Sequence, residues 1–273
     1  MAGESIAYLG PEGTFTEEAA LHIGEKLLAF DSILEVLGAV ASGKASRGVV
    51  PIENSIEGPV GVTLDLLAWE YDLCIEREII LRVRHNLLVN SGVSLGEVRE
   101  VYSHPQSLAQ CRRFLEKLGV TTHSAPSTAA AARTIVGRRE LAAIGTLRAA
   151  DIYGLDVIAE DIQDFDPNFT RFIVLSEKDH EPTGKDKTSI VFSLAEDRPG
   201  GLYEVLGFFA EHGVNLTKIE SRPSKRGLGK YIFFIDFEGH RKDAVIMDVL
   251  DCIADRTPFF KILGSYPEET VYE

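Results

Sequence analysis

The chain has 273 residues and a mass of 30.0 kDa, which is enough for two domains. Its hydrophobic fraction of 45% and charged fraction of 26% exclude disorder, collagen and coiled coil as descriptions of the whole chain. The 42 acidic residues outnumber the 28 lysines and arginines, and the net charge of −14 argues against nucleic acid or an anionic membrane as the main partner.

The chain carries no sign of export. No apolar stretch approaches the roughly 18 residues that span a bilayer, and the first ten residues lack the pattern of a signal peptide. The three cysteines, Cys74, Cys111 and Cys252, lie far apart and form no CxxC pair. We therefore expect a cytoplasmic protein, kept in a reducing compartment.

Strand-like and helix-like segments alternate through the first two-thirds of the chain. Strands are predicted at 5–9, 48–52, 79–89, 101–102, 141–144, 157–160 and 172–176, and helices at 15–28, 31–46, 62–69, 107–118 and 128–136. Asp31 or Ser32 is the expected N-cap of the second helix. The alternation predicts an α/β fold with a parallel or mixed sheet and helices on both faces, in which ligands bind where loops leave the carboxyl ends of strands.

The last third has a different pattern. The segment 177–187 is charged, contains Pro182 and Gly184 and has no hydrophobic period, so we interpret it as a linker. Strands are predicted beyond it at 189–195, 216–220, 231–237 and 259–264, with helices at 200–212 and 243–254. The order βαββαβ predicts a ferredoxin-like domain. We place the domain boundaries at 1–180, 181–187 and 188–273, and pairing with a second copy would stabilise so small a domain.

Two common site signatures are absent or incomplete. Gly38–Lys44 has the spacing of a phosphate-binding P-loop, but Ala45 follows where Mg²⁺ needs a hydroxyl, and the glycines lie in or at the end of a predicted helix. The seven histidines show no HExxH motif and no Cys/His cluster, so we expect no metal.

Several turns between strands and helices carry small polar residues. They are Gly13–Thr14, Glu53–Asn54–Ser55, Ser103–His104–Pro105–Gln106–Ser107 and Ser127–Thr128. Each turn taken alone is explained by N-capping. Several such turns at one sheet edge would instead direct N–H groups and hydroxyls into one crevice, which suits carboxylates. Gln110 lies on the helix after Ser103, where its alternative role is that of an ordinary polar helix residue.

Two further segments suggest ligand binding. The polar loop from Asp164 runs directly into a strand, so that the Thr170 hydroxyl could donate a hydrogen bond beside an Arg171 that clamps a carboxylate. A strand-forming threonine and a surface arginine are the alternative. In the tail, Gly200–Gly201–Leu202 opens a helix, and its backbone N–H groups could receive a carboxylate. A tight turn explains these glycines equally well.

These motifs, in this order, resemble the prephenate dehydratases. The matching segments are Tyr8–Phe15, Val50–Gly58, Ser103–Gln106 with Gln110–Cys111, and Asn168–Phe172, while the tail resembles the ACT regulatory domain of that family. Gly201 departs from the alanine usual there, and Glu220–Ser221–Arg222–Pro223 is intact. The resemblance implies a two-lobed catalytic part like a type II periplasmic binding protein, with its site in the cleft. No chorismate mutase helix precedes Gly3, so we expect the monofunctional form.

The resemblance also implies a reaction and its residues. Prephenate would lose its ring carboxylate and a hydroxide to give phenylpyruvate, CO₂ and water, without cofactor or metal. Thr170 would donate to the leaving oxygen, although chemistry alone favours His104 as the more titratable group. Substrate positioning is assigned to Asn54, Ser55, Ser103, Gln110, Arg171 and Thr14. L-Phenylalanine would be the effector, bound by Gly200, Gly201, Leu202, Asn215, Leu216, Glu220, Ser221, Arg222 and Pro223, in a homodimer or homotetramer.

Two alternative functions stay open at this point. An arogenate dehydratase would carry out the same chemistry on an aminated substrate. A non-catalytic amino-acid sensor with the same two-lobed shape and ACT domain would bind a ligand without releasing CO₂.

Overall fold

The computed structural model describes residues 5–227, 229–268 and 271–272; the predicted domain ends at residues 1 and 273 lie outside these ranges. The described residues form two compact units. One contains residues 5–61, Ile79–Phe172 and 271–272, and the other contains Val62–Glu78 and residues 173–268.

The helices and strands of the described residues follow one another in this order. They are β1 (Ile6–Leu9), α1 (Phe15–Leu21), β2 (Leu27–Phe30), α2 (Ile33–Ala41), β3 (Arg47–Asn54), β4 (Gly58–Pro59), α3 (Gly61–Trp69), β5 (Cys74–Arg82), β6 (Asn86–Asn90), a 3₁₀ turn (Leu95–Glu97), β7 (Glu100–Ser103), α4 (Pro105–Gln110), α5 (Arg112–Leu118), β8 (Thr121–Ser124), α6 (Thr128–Ile135), β9 (Leu141–Gly145), α7 (Leu147–Tyr153), β10 (Leu155–Ala159), β11 (Phe169–Ser176), β12 (Asp186–Ser193), α8 (Gly201–Glu211), β13 (Leu216–Pro223), β14 (Tyr231–Glu238), α9 (Ala244–Ala254), β15 (Phe259–Pro267) and β16 (Val271–Tyr272).

The strands of the first two-thirds of the chain form two sheets, one of which also includes β16 from the end of the chain. One has the strand order β16-β5-β11-β3-β1-β2, with β4 paired to β3, and the other has the order β10-β6-β9-β7-β8. Strand β1 runs parallel to β2 and β3, whereas β6 runs antiparallel to β9 and β10. The mixed sheets confirm the α/β prediction. The chain enters the second sheet after β5 and leaves it before β11, so the two sheets define two lobes joined by two connections.

The five-stranded sheet is covered on both faces. Ala131, Ala132 and Ala149 of helices α6 and α7 are fully buried and pack with Leu88 of β6. Cys111 and Leu115, at and after the break between α4 and α5, belong to a second cluster with Val101 of β7. Small alanines let a helix approach a sheet closely, which explains why an alanine-rich segment lies here. Helices on both faces are as predicted.

Three predicted helices were wrong in extent, and the one expected at 31–46 covers only Ile33–Ala41. The helix expected at 15–28 ends at Leu21, and Leu27–Phe30 form strand β2, because a short apolar run fits a buried strand as well as a helix. The helix expected at 107–118 is divided at Cys111, whose φ of −111° and ψ of 19° interrupt the helical backbone. At the second helix, Ser32 rather than Asp31 caps the first turn and accepts a hydrogen bond from the Glu35 N–H.

The second unit contains a four-stranded antiparallel sheet with the order β13-β14-β12-β15. Helices α8 and α9 pack with its strands β12 and β14 in a single core, which confirms the βαββαβ prediction. Helix α3 belongs to the same unit. Its Trp69 stacks on Phe259 of β15 with ring centroids 4.5 Å apart, and the Lys261 ammonium donates to the Leu67 carbonyl at 3.0 Å and the Tyr71 carbonyl at 2.7 Å.

Candidate active site

A cavity of about 560 Å³ lies in the first unit and is lined by residues of both lobes. Most of the exposed surface of its wall is apolar, although many of the lining residues carry polar side chains. Residues that line it from the seven-stranded sheet and its loops include Leu9, Pro11, Thr14, Phe15, Asp31, Asn54, Thr170 and Phe172. Residues from the five-stranded lobe include His104, Gln106, Ser107, Gln110, Ser127, Thr128 and Arg133. A concave, largely apolar surface with convergent polar groups is the usual form of a small-molecule site.

The side chain of Asn54 determines the orientation of the Thr170 hydroxyl. The Asn54 carboxamide oxygen accepts the backbone N–H groups of Ile56 and Glu57 at 3.0 Å each, which fixes the amide orientation. The Asn54 nitrogen therefore donates, and it lies 2.9 Å from the Thr170 oxygen. Because that oxygen accepts from Asn54, the hydroxyl proton of Thr170 is available to another acceptor. The geometry makes Thr170 a hydrogen-bond donor toward the cavity.

A buried network of side-chain amides connects Asn54 to Gln110. The Asn54 nitrogen donates to the Asn168 side-chain oxygen at 2.8 Å, and the Asn168 nitrogen donates to the Gln110 oxygen at 3.0 Å. His85 also contacts the Gln110 oxygen, through Nε2 at 3.0 Å. The Gln110 nitrogen donates to the Glu57 carboxylate at 3.3 Å. Each amide thus has a defined orientation, which holds Thr170 and Gln110 rigidly.

The two histidines of the cavity wall are favoured in the neutral state. Burial lowers the pKa of His85, with a smaller opposing effect from Gln110, and burial lowers the pKa of His104. His85 Nε2 lies against an acceptor, so its proton is on that nitrogen. His104 caps helix α4 and accepts the Gln106 N–H at its Nδ1 atom, 3.3 Å away. His104 therefore keeps a protonated Nε2 as a second donor in the wall.

Three predicted residues have structural partners. Thr14 lines the cavity, donates to the Leu9 carbonyl at 3.2 Å and accepts the Glu17 N–H at the start of α1. The Ser55 oxygen accepts the Phe169 N–H at 2.9 Å, which ties the loop after β3 to the start of β11. Ser103 is fully buried and donates to the Ile144 carbonyl at 2.8 Å, so its hydroxyl connects β7 to β9.

Arg171 lies on the side of strand β11 opposite to Thr170. Successive side chains of a strand point to opposite faces, and Thr170 and Phe172 line the cavity. The Arg171 guanidinium instead contacts Glu53 at 3.3 Å, and only 12% of the side chain is exposed. The structure thus brings Thr170, Asn54, Gln110 and Thr14 to one cavity and gives Arg171 a partner outside its lining.

Three residues that the geometry makes important were not predicted from the sequence. Asn168 lies in the quoted Asn168–Phe172 motif but was given no role, although it joins Asn54 to Gln110. His85 follows strand β5, and no local sequence pattern marks it as a functional residue. Arg133 is the only lysine or arginine among the described residues that line the cavity. Its place on the alanine-rich helix α6 was the available hint.

The predicted effector residues lie on two elements of the second unit. Gly200 has a left-handed φ of 84° and caps helix α8, while Gly201 and Leu202 begin that helix. The other residues lie within the edge strand β13, except Asn215, which directly precedes it. The Asn215 nitrogen donates to Glu238 at 2.8 Å, and Arg222 forms two hydrogen bonds with the Asp65 carboxylate of α3, at 3.1 and 3.2 Å. Leu216, Glu220, Ser221 and Pro223 pair with strand β14.

The described residues contain neither a metal-binding cluster nor a membrane-spanning helix. Across residues 5–227, 229–268 and 271–272, no three His, Cys, Asp or Glu side chains form a cluster that could hold a metal ion. Within the same ranges, every helix is too short or too polar to cross a membrane.

Comparison with known proteins gives consistent matches. A family model described as prephenate dehydratase matches residues 6–180, and one described as an ACT domain matches residues 188–251. The prephenate dehydratase of Methanocaldococcus jannaschii is 40% identical over 275 residues, covering 97% of this chain and 98% of the relative. The structure of prephenate dehydratase from Arthrobacter aurescens in complex with L-Phe has a TM-score of 0.88 and 37% identity, covering 97% and 90% of the two chains. A structure described as GqqA, a novel type of quorum quenching acylase, has a TM-score of 0.87 and 31% identity, covering 97% and 98%.

Proposed function

Because the chain belongs to the prephenate dehydratase family, we propose that it converts prephenate into phenylpyruvate, CO₂ and water, as a carbon–oxygen lyase in phenylalanine biosynthesis. In this reaction the bond between ring and carboxylate breaks, and its electron pair enters the ring. The ring C–O bond breaks at the opposite carbon, and the departing oxygen takes a proton to become water. Aromatisation drives the elimination, so the enzyme mainly has to orient the substrate and assist the leaving oxygen.

The hydrogen bond from Asn54 to Thr170 is the observation that supports this proposal most directly. It commits the Thr170 oxygen as an acceptor and leaves its proton for the departing hydroxide. The apolar side chains of Phe15 and Phe172 also line the cavity, and apolar surroundings favour a carboxylate that leaves as neutral CO₂.

The remaining predicted residues divide into two proposed roles. Thr14, Asn54 and Gln110 line the cavity and are proposed to contact the substrate. Ser55, Ser103 and Arg171 are proposed to position the site, because their polar atoms contact Phe169, Ile144 and Glu53.

The test is an assay of phenylpyruvate formation from prephenate. We expect the wild-type chain to be active and Thr170→Ala to lower kcat at least ~100-fold, since a positioned donor contributes about that much. Thr170→Ser keeps the hydroxyl and should keep part of the activity. Thr121→Ala, on the exposed strand β8, is the matched control and should change nothing. Near-wild-type turnover by Thr170→Ala would reject the assigned role.

We further propose that L-phenylalanine inhibits this chain through its ACT domain, in a cytoplasmic homodimer or homotetramer. The ACT match and the L-Phe complex of the Arthrobacter relative support regulation, and the three free cysteines suit the cytoplasm. Calorimetry on the full chain should detect phenylalanine binding, with a matching loss of activity, and sedimentation should give the subunit number. Absence of both heat and inhibition would overturn this proposal.

The alternative functions give different products. Arogenate dehydratase is separated by measuring kcat/KM on prephenate and arogenate side by side. An amino-acid sensor would bind ligand without producing CO₂. An acylase like the GqqA neighbour would hydrolyse an acyl group, also without CO₂. CO₂ release from prephenate or arogenate therefore separates the dehydratases from the sensor and the acylase.

A further inference from the structure

Arg133 is a cation that lines the cavity and has no hydrogen-bond or ion-pair partner among the described residues. It lies on helix α6 of the five-stranded lobe, its side chain is exposed, and it is the only lysine or arginine among the described residues of the lining. Among the described residues, no hydrogen bond or ion pair engages its guanidinium. Asp31, the carboxylate that lines the same cavity from the other lobe, is not paired with it. In a chain of net charge −14, an uncommitted guanidinium at a cavity marks an anion receptor.

Arg133 and Thr170 belong to different lobes. Thr170 lies on strand β11 of the seven-stranded sheet, whereas Arg133 lies in the last turn of α6, whose N-terminal residues Ser127 and Thr128 also line the cavity. A substrate with its reacting carbon at Thr170 can therefore extend an anionic group toward the other lobe. Prephenate has two carboxylates. Only one of them keeps its charge during the reaction, and this difference determines which one a cation can bind without slowing catalysis.

The ring carboxylate loses its charge as it becomes CO₂. A guanidinium bound to it would stabilise the substrate more than the transition state and would slow the reaction. The side-chain carboxylate keeps its charge from substrate to product, so a cation there binds all states equally well. Resting on the proposed function, we propose that Arg133 binds the side-chain carboxylate of prephenate, the one retained in phenylpyruvate.

The first test is the kinetics of Arg133→Gln. Loss of a charge-assisted hydrogen bond should raise KM about tenfold and leave kcat within about threefold, because uniform binding affects KM alone. Arg133→Lys keeps the charge and should give an intermediate KM. Arg138→Gln removes the same charge from a surface position outside the lining and should match wild type. An unchanged KM in Arg133→Gln, or a fall in kcat alone, would overturn the assignment.

The second test uses phenylpyruvate, which has lost the ring carboxylate and kept the other. Its product-inhibition constant should rise in Arg133→Gln by the same factor as KM. An unchanged inhibition constant beside a raised KM would place Arg133 on the ring carboxylate instead and would refute the proposal. Failure of the proposed function is distinguishable, because the wild-type chain itself would then form no phenylpyruvate from prephenate.

Discussion

Thr170 owes its proposed chemistry to the side chain beside it. A threonine hydroxyl is a weak acid, and its use as a donor depends on which way its proton points. The Asn54 carboxamide, oriented by two backbone N–H groups, provides that direction. The donor is therefore a property of the pair and not of Thr170 alone.

Asn54→Asp tests this dependence with almost no change in shape. A carboxylate has no N–H group, so it would accept the Thr170 proton and withdraw it from the substrate. We expect kcat to fall by about tenfold to hundredfold, with the thermal midpoint measured alongside to show that the variant is folded. Wild-type kcat in a folded Asn54→Asp protein would contradict the orientation argument.

At the scale of elements, helix α1 is held against helix α7 of the other lobe. Arg148 forms two hydrogen bonds of 2.7 Å with the Glu17 carboxylate, and the Thr146 hydroxyl donates to the Gly13 carbonyl at 2.9 Å. Burial pushes the pKa of Glu17 upward, but hydrogen bonds from Arg148 and Gly13 outweigh it and leave that pKa below its ordinary value. The pKa of the neighbouring Glu18 shifts in the opposite direction.

The pKa of Glu18 is raised to about 7, mainly by burial, against smaller lowering effects of Thr146 and Arg148. The folded state therefore prefers protonated Glu18. Its contribution to stability is complete below pH 4.5, its ordinary pKa, and is lost as the pH rises through about 7. Glu18→Gln should remove this loss, so that the variant gains in urea midpoint over wild type at pH 8 but not at pH 4.5. Glu116→Gln, which removes an exposed carboxylate, is the control. If Glu18→Gln raised the urea midpoint equally at pH 8 and pH 4.5, the assignment to Glu18 would be refuted.

Much of the element pattern could be predicted from the sequence, because it depends on local periodicity. The βαββαβ tail and the alanine-rich helix are confirmed for that reason. Leu27 and Leu28 of strand β2 were wrongly assigned to a helix, since the pairing of that strand with β1 is not local. Strand alternation alone could have separated Thr170 from Arg171, because a strand that directs one residue into a cavity directs the next away. The contact of His85 with Gln110 joins residues far apart in sequence, and no local pattern announces it.

At the scale of the whole molecule, one close backbone approach constrains the second unit. Gly264 in β15 has a φ of 147°, and a Cβ added there would lie 2.3 Å from the Ile75 carbonyl oxygen and 2.6 Å from its nitrogen. Backbone atoms cannot move aside as a flexible side chain can. The approach joins β15 to β5 within this unit and explains the glycine.

Gly264→Ala should lower the free energy of unfolding by about 3 kcal/mol or more, because it adds overpacking to backbone strain. Gly207→Ala is the matched control, since its Cβ would meet nothing within 4 Å in the interior of α8. That control should raise stability by about 0.5–1 kcal/mol. Urea denaturation of both variants measures the difference, and equal behaviour of the two would disprove the steric explanation.

Helix α3 lies within the first third of the chain, yet its partners are Phe259, Lys261 and Arg222 of the tail. A protein truncated after residue 180 would therefore keep Trp69 while losing the ring that covers it, and we expect it to aggregate. A tail expressed alone would lack the helix that its sheet packs against. Chimeras that exchange regulatory regions between relatives should accordingly transfer residues 62–78 together with the tail.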